Sequence, residues 1–183
     1  MFDTAVRRVL ELDPSGVVIF LEGRDKSWAE ALQKRLGAHD RVIFLPRLSG
    51  EVYADMLLSA DVMLDTFPYS GFTTSVEALS LGLPVVTRSG AETIRGSQTL
   101  ALLRALDKGF GQARVRGPTL TSRLVALDIE EYAILATRAA GVQSRTYRDR
   151  LRRDINSVSP KLFGDEGAVQ DWATFLNRVR AGN

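Results

Sequence analysis

The residues best placed to do chemistry lie between positions 65 and 87, in the stretch DTFPYSGFTTSVEALSLGLPVVT. Two adjacent threonines, Thr73 and Thr74, follow a glycine-containing loop and open a predicted helix. A helix N-terminus just beyond a strand's carboxyl end favours phosphate, because its backbone N–H groups and its dipole both attract an anion. Glu77 lies one turn further on, where a carboxylate accepts hydrogen bonds from the paired hydroxyls of a ribose. The spacing therefore predicts a nucleotide-sugar site.

Three further residues can contribute to this site. Gly71 allows the backbone to approach a phosphate closely. Tyr53, in the segment after the second predicted strand, can stack on a base, and Arg95, after the fourth, is a candidate phosphate contact. Each feature also has a plainer interpretation: Thr74 and Glu77 have the spacing of a helix capping box, and arginines such as Arg95 are commonly solvated.

The surrounding pattern predicts the elements that position these residues. Four short, continuous apolar runs indicate strands covered on both faces of a parallel sheet, at 17–21, 42–45, 62–64 and 84–86. Helices are predicted between them, from the capping signals at Ser27 and Ser49, over about 73–81 and over about 97–106. The alternation predicts an α/β class, a Rossmann-like parallel sheet with helices on both faces.

The pattern changes after Leu106. Residues 107–122 are predicted to form a surface loop, 124–126 a short edge strand, and 130–140 and 147–155 two helices. The last helix carries an apolar stripe that includes Trp172 and Leu176 and is expected to pack on another surface. We therefore expect one nucleotide-sugar-binding domain over 1–183, with its core at about 14–140 and a helical segment at about 141–183.

Composition narrows the function classes. The chain has no cysteine and one histidine, His39 in a predicted turn, so we expect no metal site of thiolate or histidine ligands. The 24 basic and 22 acidic residues leave a net charge of +2, which makes nucleic acid an unlikely partner. No apolar run reaches the roughly 20 residues of a membrane span, and the default expectation is a cytoplasmic protein, or a nuclear one in a eukaryote.

Residues 60–79, with the Gly82-x-Pro84-Val85-Val86-Thr87 segment after them, closely resemble the catalytic half of the protein O-GlcNAc transferase family, which includes the SPINDLY-type proteins. The resemblance extends from about Arg41 to the C-terminus. It passes through three further segments, Arg95-Gly-Ser97-Gln98, Glu131-Tyr132 and Ser159-x-x-Leu162-Phe163.

This resemblance implies the C-terminal, nucleotide-binding half of a GT-B fold. It implies inverting, metal-independent transfer of a sugar from a UDP- or GDP-sugar, with UDP-GlcNAc the expected donor, to a protein side chain, and no further cofactor. By motif position, Thr73 and Thr74 would meet the pyrophosphate and Glu77 the ribose. Leu48 would touch the base through its backbone, and Tyr53 would take the place of a base-stacking histidine.

Three positions depart from the family pattern. Phe72 stands where the animal enzymes carry a histidine at the diphosphate, Met56 replaces a basic residue near the base, and Gly50 replaces a lysine. The catalytic base and the acceptor site of such enzymes belong to an N-terminal domain that this sequence does not contain. We therefore expect a fragment that is inactive alone and needs an N-terminal GT-B half, in cis or in trans, and a protein acceptor.

Other functions remain open at this point. The chain can be a nucleotide-binding or interaction module that has lost catalysis, or part of a GT-B transferase with another nucleotide sugar. A retaining glycan synthase would carry a glutamate eight residues before Glu77, where this sequence has Tyr69. A basic nucleic-acid binder that uses the arginines between Arg138 and Arg153 is the weakest alternative.

Overall fold

A computed structural model describes residues 1–25, 27–37, 40–90, 93–110, 118–164 and 166–181. His39 and the middle of the predicted 107–122 loop lie outside these ranges. The described strands are β1 (Val18–Leu21), β2 (Val42–Leu45), β3 (Met63–Leu64), β4 (Val85–Arg88) and β5 (Val125–Ala126). The described α-helices are α1 (Phe2–Leu12), α2 (Ser27–Leu36), α3 (Gly50–Ser59), α4 (Thr73–Ser80), α5 (Gln98–Gly109), α6 (Leu120–Leu124), α7 (Ile129–Ala139), α8 (Arg145–Val158) and α9 (Glu166–Arg180).

All the described strand pairs are parallel, which confirms the predicted α/β class. However, the strands form two sheets rather than one, because β1 pairs with β2 while β3, β4 and β5 pair in that order. The first sheet aligns Val18 with Val42, and the second aligns Met63 with Val85. An apolar cleft separates the open edges of β1 and β3.

Each sheet has its own hydrophobic core. The larger core surrounds β3 and β4 and contains residues of α4, α5, α7 and α8. The smaller one is formed by Val6, Leu10, Leu36 and Val42, against which Phe20 and Phe44 stack with their ring centroids 5.5 Å apart. Helix α1 contributes to both cores, since Ala5 and Val9 belong to the larger one.

The predicted burial of the strands on both faces holds for β4, whereas β3 is half-buried and the first sheet leaves one face exposed. Val85 and Val86 of β4 are fully buried. In the first sheet Ile19, Leu21 and Ile43 are 47%, 41% and 40% exposed. Because the smaller core covers only the face that carries Val18, Phe20, Val42 and Phe44, the alternate residues are left on an uncovered apolar face.

Several helix ends differ in detail from the predicted capping. Ser27 was expected to cap α2, but its own backbone N–H donates to Asp25 Oδ1 at 2.9 Å, so Asp25 takes that role. A hydrogen bond from the Ser27 hydroxyl, and after it this backbone bond, hold the pKa of Asp25 below its usual value. Ser49 occupies the N-cap position of α3 without a side-chain bond. Asp128 and Ser144 cap α7 and α8 through their side chains.

The segment after Leu106 is more helical than the sequence indicates. Helix α5 continues to Gly109, and Asp107 lies within it. The Asp107 carboxylate accepts the backbone N–H groups of Leu120 and Thr121 at 2.6 and 3.0 Å, which fixes the start of α6. The predicted loop is therefore wrong at both of its described ends.

Helix α9 has no buried residue, and its predicted apolar stripe is exposed in this chain. Val169, Trp172 and Leu176 are 69%, 64% and 57% exposed. Trp172 meets Phe175 edge to face on the helix itself, with ring centroids 5.7 Å apart. Among the described helices, none is both long and apolar enough to cross a membrane.

Candidate functional site

Asp65 anchors the loop that precedes α4. This residue directly follows β3 and is almost fully buried, with 1% of its surface exposed. One carboxylate oxygen accepts the backbone N–H of Gly71 at 2.7 Å, and the other accepts the hydroxyls of Ser70 and Thr87, each at 2.7 Å. Three donors therefore stabilise a buried carboxylate, which in turn joins the loop to β4.

A group of buried hydroxyls continues this network. Ser70 Oγ accepts the backbone N–H of Thr99 at 3.1 Å, and the Thr99 hydroxyl donates to the Gly71 carbonyl at 3.0 Å. Ser75 Oγ lies 2.8 Å from Thr99 Oγ1. The network connects the loop, the first turn of α4 and the first turn of α5, so the start of α4 is held in one position.

Helix α7 also holds the loop that begins at Asp65. Tyr132 is fully buried, and its hydroxyl donates to the Asp65 carbonyl at 2.9 Å. Burial, with a smaller contribution from Asp65, raises the pKa of Tyr132 well above its usual value. Its ring packs edge to face on Phe67, at 5.3 Å between centroids. Tyr132 therefore remains a neutral donor.

Gly71 packs closely against side chains of the first turn of α4. A Cβ atom built there would lie 2.7 Å from Thr74 Oγ1 and 3.2 Å from Ser75 Oγ. The first of these distances is too short for a Cβ contact, so a side chain at position 71 would require the Thr74 hydroxyl to move. The glycine predicted to allow approach to a phosphate thus also allows the loop to approach α4.

The N-terminus of α4 is open. Its N-cap is Phe72, which makes no side-chain capping bond, and its first turn contains no acidic residue. Within the described residues, the backbone N–H groups of Thr73, Thr74 and Ser75 have no acceptor. The helix dipole is therefore uncompensated at a place where solvent or an anion can reach it.

The capping-box interpretation of Glu77 is wrong. Thr74 lies inside α4 rather than at its N-cap, and the Glu77 side chain makes no hydrogen bond to any described residue. Thr73 is likewise inside the helix. The side chains of Thr73, Thr74 and Glu77 are all exposed, so they remain available to a ligand.

Tyr53 and Glu77 interact electrostatically although 24 positions separate them in the sequence. Burial raises the pKa of Tyr53, and the charge of the Glu77 carboxylate raises it further. Exposed charges further apart than about 10 Å are largely screened by salt. Tyr53 and Thr74 also line one end of the same cleft, which has a volume of about 660 Å³.

The remaining predicted residues lie around this group. Ser70 donates its backbone N–H to the Arg95 carbonyl at 3.0 Å, which places exposed Arg95 beside the loop. Leu48 is half-buried in the segment between β2 and α3. Phe72 is 54% exposed at the helix start. Arg88, by contrast, lies over the Phe67 ring at 5.3 Å.

The sequence interpretation assigned no role to the residues that hold the loop. These are Asp65, Ser70, Ser75, Thr87, Thr99 and Tyr132. A polar residue immediately after a buried apolar strand, as Asp65 is, was the signal that could have revealed the network. Among the described residues, no group of three or more histidine, cysteine or carboxylate side chains could hold a metal ion.

Comparison with known proteins identifies several that are similar to this chain. No protein-family profile matches the chain. The chain is 32% identical over 110 residues to the probable UDP-N-acetylglucosamine–peptide N-acetylglucosaminyltransferase SPINDLY of Arabidopsis thaliana, and 33% identical over 105 residues to that of Petunia hybrida. These matches cover 60% and 57% of the chain. The chain is related to the O-GlcNAc transferase and SPINDLY-type proteins.

The fold agrees with this relationship. An O-GlcNAc transferase of Thermobaculum terrenum, solved as its K341M mutant, superposes with a TM-score of 0.76 over 96% of the chain, at 24% identity. The α/β, Rossmann-like fold class predicted for this chain is thereby confirmed. The chain spans 10% of the length of each of the two SPINDLY proteins and 32% of the solved chain.

Proposed function

We propose that this chain is the donor-binding part of a protein O-glycosyltransferase and that its donor is a UDP-sugar, namely UDP-GlcNAc. The observation that carries the proposal is the open N-terminus of α4 beside exposed Thr73, Thr74 and Glu77. The names of the SPINDLY relatives support the nucleotide and the sugar.

The diphosphate would bind at the start of α4. Three backbone N–H groups and two threonine hydroxyls lie there, and Arg95 is close by. During transfer, negative charge develops on the leaving UDP, and fixed donors aimed at that charge lower the barrier. We propose that these donors stabilise the leaving group without a metal ion, in an inverting transfer.

The nucleoside would lie between Glu77 and Tyr53. The Glu77 carboxylate can accept both ribose hydroxyls, and the Tyr53 ring can stack on the base. The Glu77 charge already acts on Tyr53, since it adds to the effect of burial in raising the pKa of Tyr53. Leu48 would contact the base through its backbone from the segment after β2. In the whole enzyme, a protein acceptor and a catalytic base would come from outside this set.

Titration calorimetry with UDP, GDP, UDP-GlcNAc and GDP-fucose tests the proposal. We expect UDP and UDP-GlcNAc to bind and the two guanine nucleotides to bind more weakly. An absence of binding by every one of these compounds would falsify the proposal.

Replacement of Glu77 tests its proposed role at the ribose. Glu77→Ala should weaken UDP binding by about 1–3 kcal/mol, because the ribose hydroxyls lose their acceptor. Glu30→Ala on α2, another exposed helical glutamate, is the matched control and should leave the affinity unchanged. Equal affinities for wild type and Glu77→Ala would remove Glu77 from the site.

A nucleotide-binding module without transferase activity is the second candidate. Phe72 favours it, since an aromatic ring at the helix start supplies no polar contact to a diphosphate. Under this alternative UDP binds, but UDP-GlcNAc is not consumed when the chain is assayed with an N-terminal GT-B half and an acceptor peptide. Release of UDP in that assay would exclude the alternative of a module without transferase activity.

A further inference from the structure

One face of helix α2 is buried at its end and exposed at its start. Trp28, Leu32 and Leu36 are spaced four residues apart, so they lie on the same face of this helix. Leu36 is 1% exposed and belongs to the smaller core, Leu32 is half-buried, and Trp28, in the first turn, is 73% exposed. The face that packs on the smaller core at the end of α2 is therefore left unfilled at its beginning.

A cavity of about 420 Å³ lies at this unfilled end. Trp28 and Leu32 line it from α2, and Leu21 lines it at the carboxyl end of β1. Phe20 and Phe44 line it from the two strands, with their rings stacked. Small-molecule pockets usually have volumes of roughly 300–1,000 Å³ and mostly apolar walls. The size and the walls of this cavity therefore suit a small molecule.

Glu22 supplies a negative charge to the cavity. It follows β1 directly, and its backbone N–H continues the ladder to the Leu45 carbonyl at 2.8 Å. Because alternate residues of a strand face opposite sides, its side chain is directed to the same side as that of Phe20. Glu22 is half-buried, lines the cavity and makes no side-chain hydrogen bond or ion pair to any residue that the structure describes. A cation in the cavity would compensate this partly desolvated carboxylate.

The other charges nearby leave the cavity suited to a cation. Arg35 also lines it, but its guanidinium binds the Asp3 carboxylate at 2.7 Å, and Arg24 is not among the lining residues. At the start of α2, the hydroxyl and then the backbone N–H of Ser27 hold the pKa of Asp25 below its usual value. Asp25 is therefore ionised at neutral pH, and it offsets the positive end of the helix dipole.

We propose that this cavity binds an organic ammonium group, with the Trp28 ring and the Glu22 carboxylate as its two anchors. Aromatic faces attract cations, and the indole ring does so most strongly. The alkyl substituents of such a group would contact Phe20 and Leu32. A neutral apolar ligand would leave Glu22 without a partner, and Glu22 is the one carboxylate among the described lining residues, too few for a metal ion. This site does not depend on the proposed function.

Choline and a neutral isostere test the proposal. The isostere, 3,3-dimethylbutan-1-ol, has the shape of choline without its charge. In two-dimensional NMR spectra the indole N–H of Trp28 reports on the cavity, and that of Trp172 on exposed α9 is an internal reference. We expect millimolar choline to shift the Trp28 signal in a saturable manner and to leave the Trp172 signal in place. The isostere should bind about tenfold more weakly.

Glu22→Gln keeps the shape of the side chain and removes its charge. It should weaken choline binding by about fivefold, as expected for an ion pair near the surface, and leave binding of the isostere unchanged. Glu30→Gln, at an exposed position on α2, is the matched control and should bind choline as wild type does. The UDP affinity should be equal in all three proteins, which separates this cavity from the proposed nucleotide site.

Three results would overturn the proposal. They are a Trp28 signal that choline does not shift, equal affinities for choline and its isostere, and an unchanged choline affinity in Glu22→Gln. If choline binds as expected, acetyl-trimethyllysine methylamide identifies the source of the cation, because it carries the same trimethylammonium group on a peptide backbone. Tighter binding than choline would assign the cavity to a side chain of a polypeptide, and weaker binding to a free ammonium compound.

Discussion

A single buried carboxylate determines the conformation of the candidate loop. Asp65 accepts three hydrogen bonds from residues that come five, six and 22 positions later in the chain. Its backbone carbonyl accepts a fourth, from Tyr132. The loop thus depends on one residue that is not itself exposed to a ligand, and the side chains that would touch a nucleotide are positioned through it.

Asp65→Asn should lower the free energy of unfolding by about 1–3 kcal/mol, because the new amide group places a donor against existing donors. Urea denaturation measures this change. Asp55→Asn on α3, where the carboxylate is exposed, is the control and should have little effect. A loss no larger for Asp65→Asn than for the control would contradict the assigned role of the network.

The proximity of Tyr53 and Glu77 can be tested without any ligand. Both burial and the negative charge of Glu77 disfavour the phenolate of Tyr53, and both therefore raise its pKa. In Glu77→Gln the charge is removed, so the pKa of Tyr53 should fall towards its usual value while remaining raised by burial. Titration of the Tyr53 ring carbon by NMR measures the shift. The same titration in Glu51→Gln should match wild type. If the pKa of Tyr53 responded equally to both changes, the charge of Glu77 would have no specific effect on Tyr53.

At the scale of elements, α4 begins without a side-chain cap, as α1 and α3 do. Helices α6, α7 and α8 each start with a Thr, Asp or Ser that accepts a backbone N–H. Helix α4 starts with Phe72 at ψ −69°, outside the extended region in which a capping side chain reaches the next turn. Its amide groups are consequently left for another acceptor, which we propose is a diphosphate.

A charge series at Phe72 tests this assignment. Phe72→Arg should strengthen UDP binding and Phe72→Asp should weaken it, each by about 0.3–1 kcal/mol, the range for a charge at an exposed helix end. Uridine, which has no phosphate, is the control ligand and should bind all three proteins equally. If UDP affinity followed no such order, the diphosphate would lie elsewhere.

The order of the elements could be predicted from the sequence, but the supporting contacts could not. Strand β2 and the starts of α4 and α5 lie where continuous apolar runs and helix signals place them. Those patterns are local in the chain. The bond between Tyr132 and Asp65 joins positions 67 residues apart, and no local pattern reports it. The exposed face of β1 was also unpredictable, because Ile19 and Leu21 have the composition of buried strand residues.

At the scale of the whole molecule, the split sheet predicts two levels of stability. The smaller core contains four buried residues, and the larger one contains many more, including Val85 and Val86 of β4. Regions with little buried apolar surface open more readily than the rest of a protein. The sheet of β1 and β2 should therefore open separately from that of β3, β4 and β5.

Native-state hydrogen exchange should show this difference. We expect the amides of Val18 and Glu22 to exchange with a lower opening free energy than those of Met63 and Asp65, although all four are hydrogen-bonded. Leu36→Ala, in the smaller core, should lower the opening free energy at Val18 and Glu22 by about 2–5 kcal/mol, up to complete opening of the sheet of β1 and β2. The same substitution should leave the opening free energy at Met63 and Asp65 nearly unchanged. Leu79→Ala, in the larger core, should lower both, and a uniform response to Leu36→Ala would contradict the division.

Helix α1 takes part in both cores, with Val6 and Leu10 in one and Ala5 and Val9 in the other. This shared position has a mechanical consequence. A force applied to the first residue would detach α1 from both cores at once. The smaller core, which covers the sheet of β1 and β2, would then lose two of its four buried residues. In a single-molecule stretching experiment, that sheet would extend first and at low force, and the rest of the chain would yield later in a second, larger step.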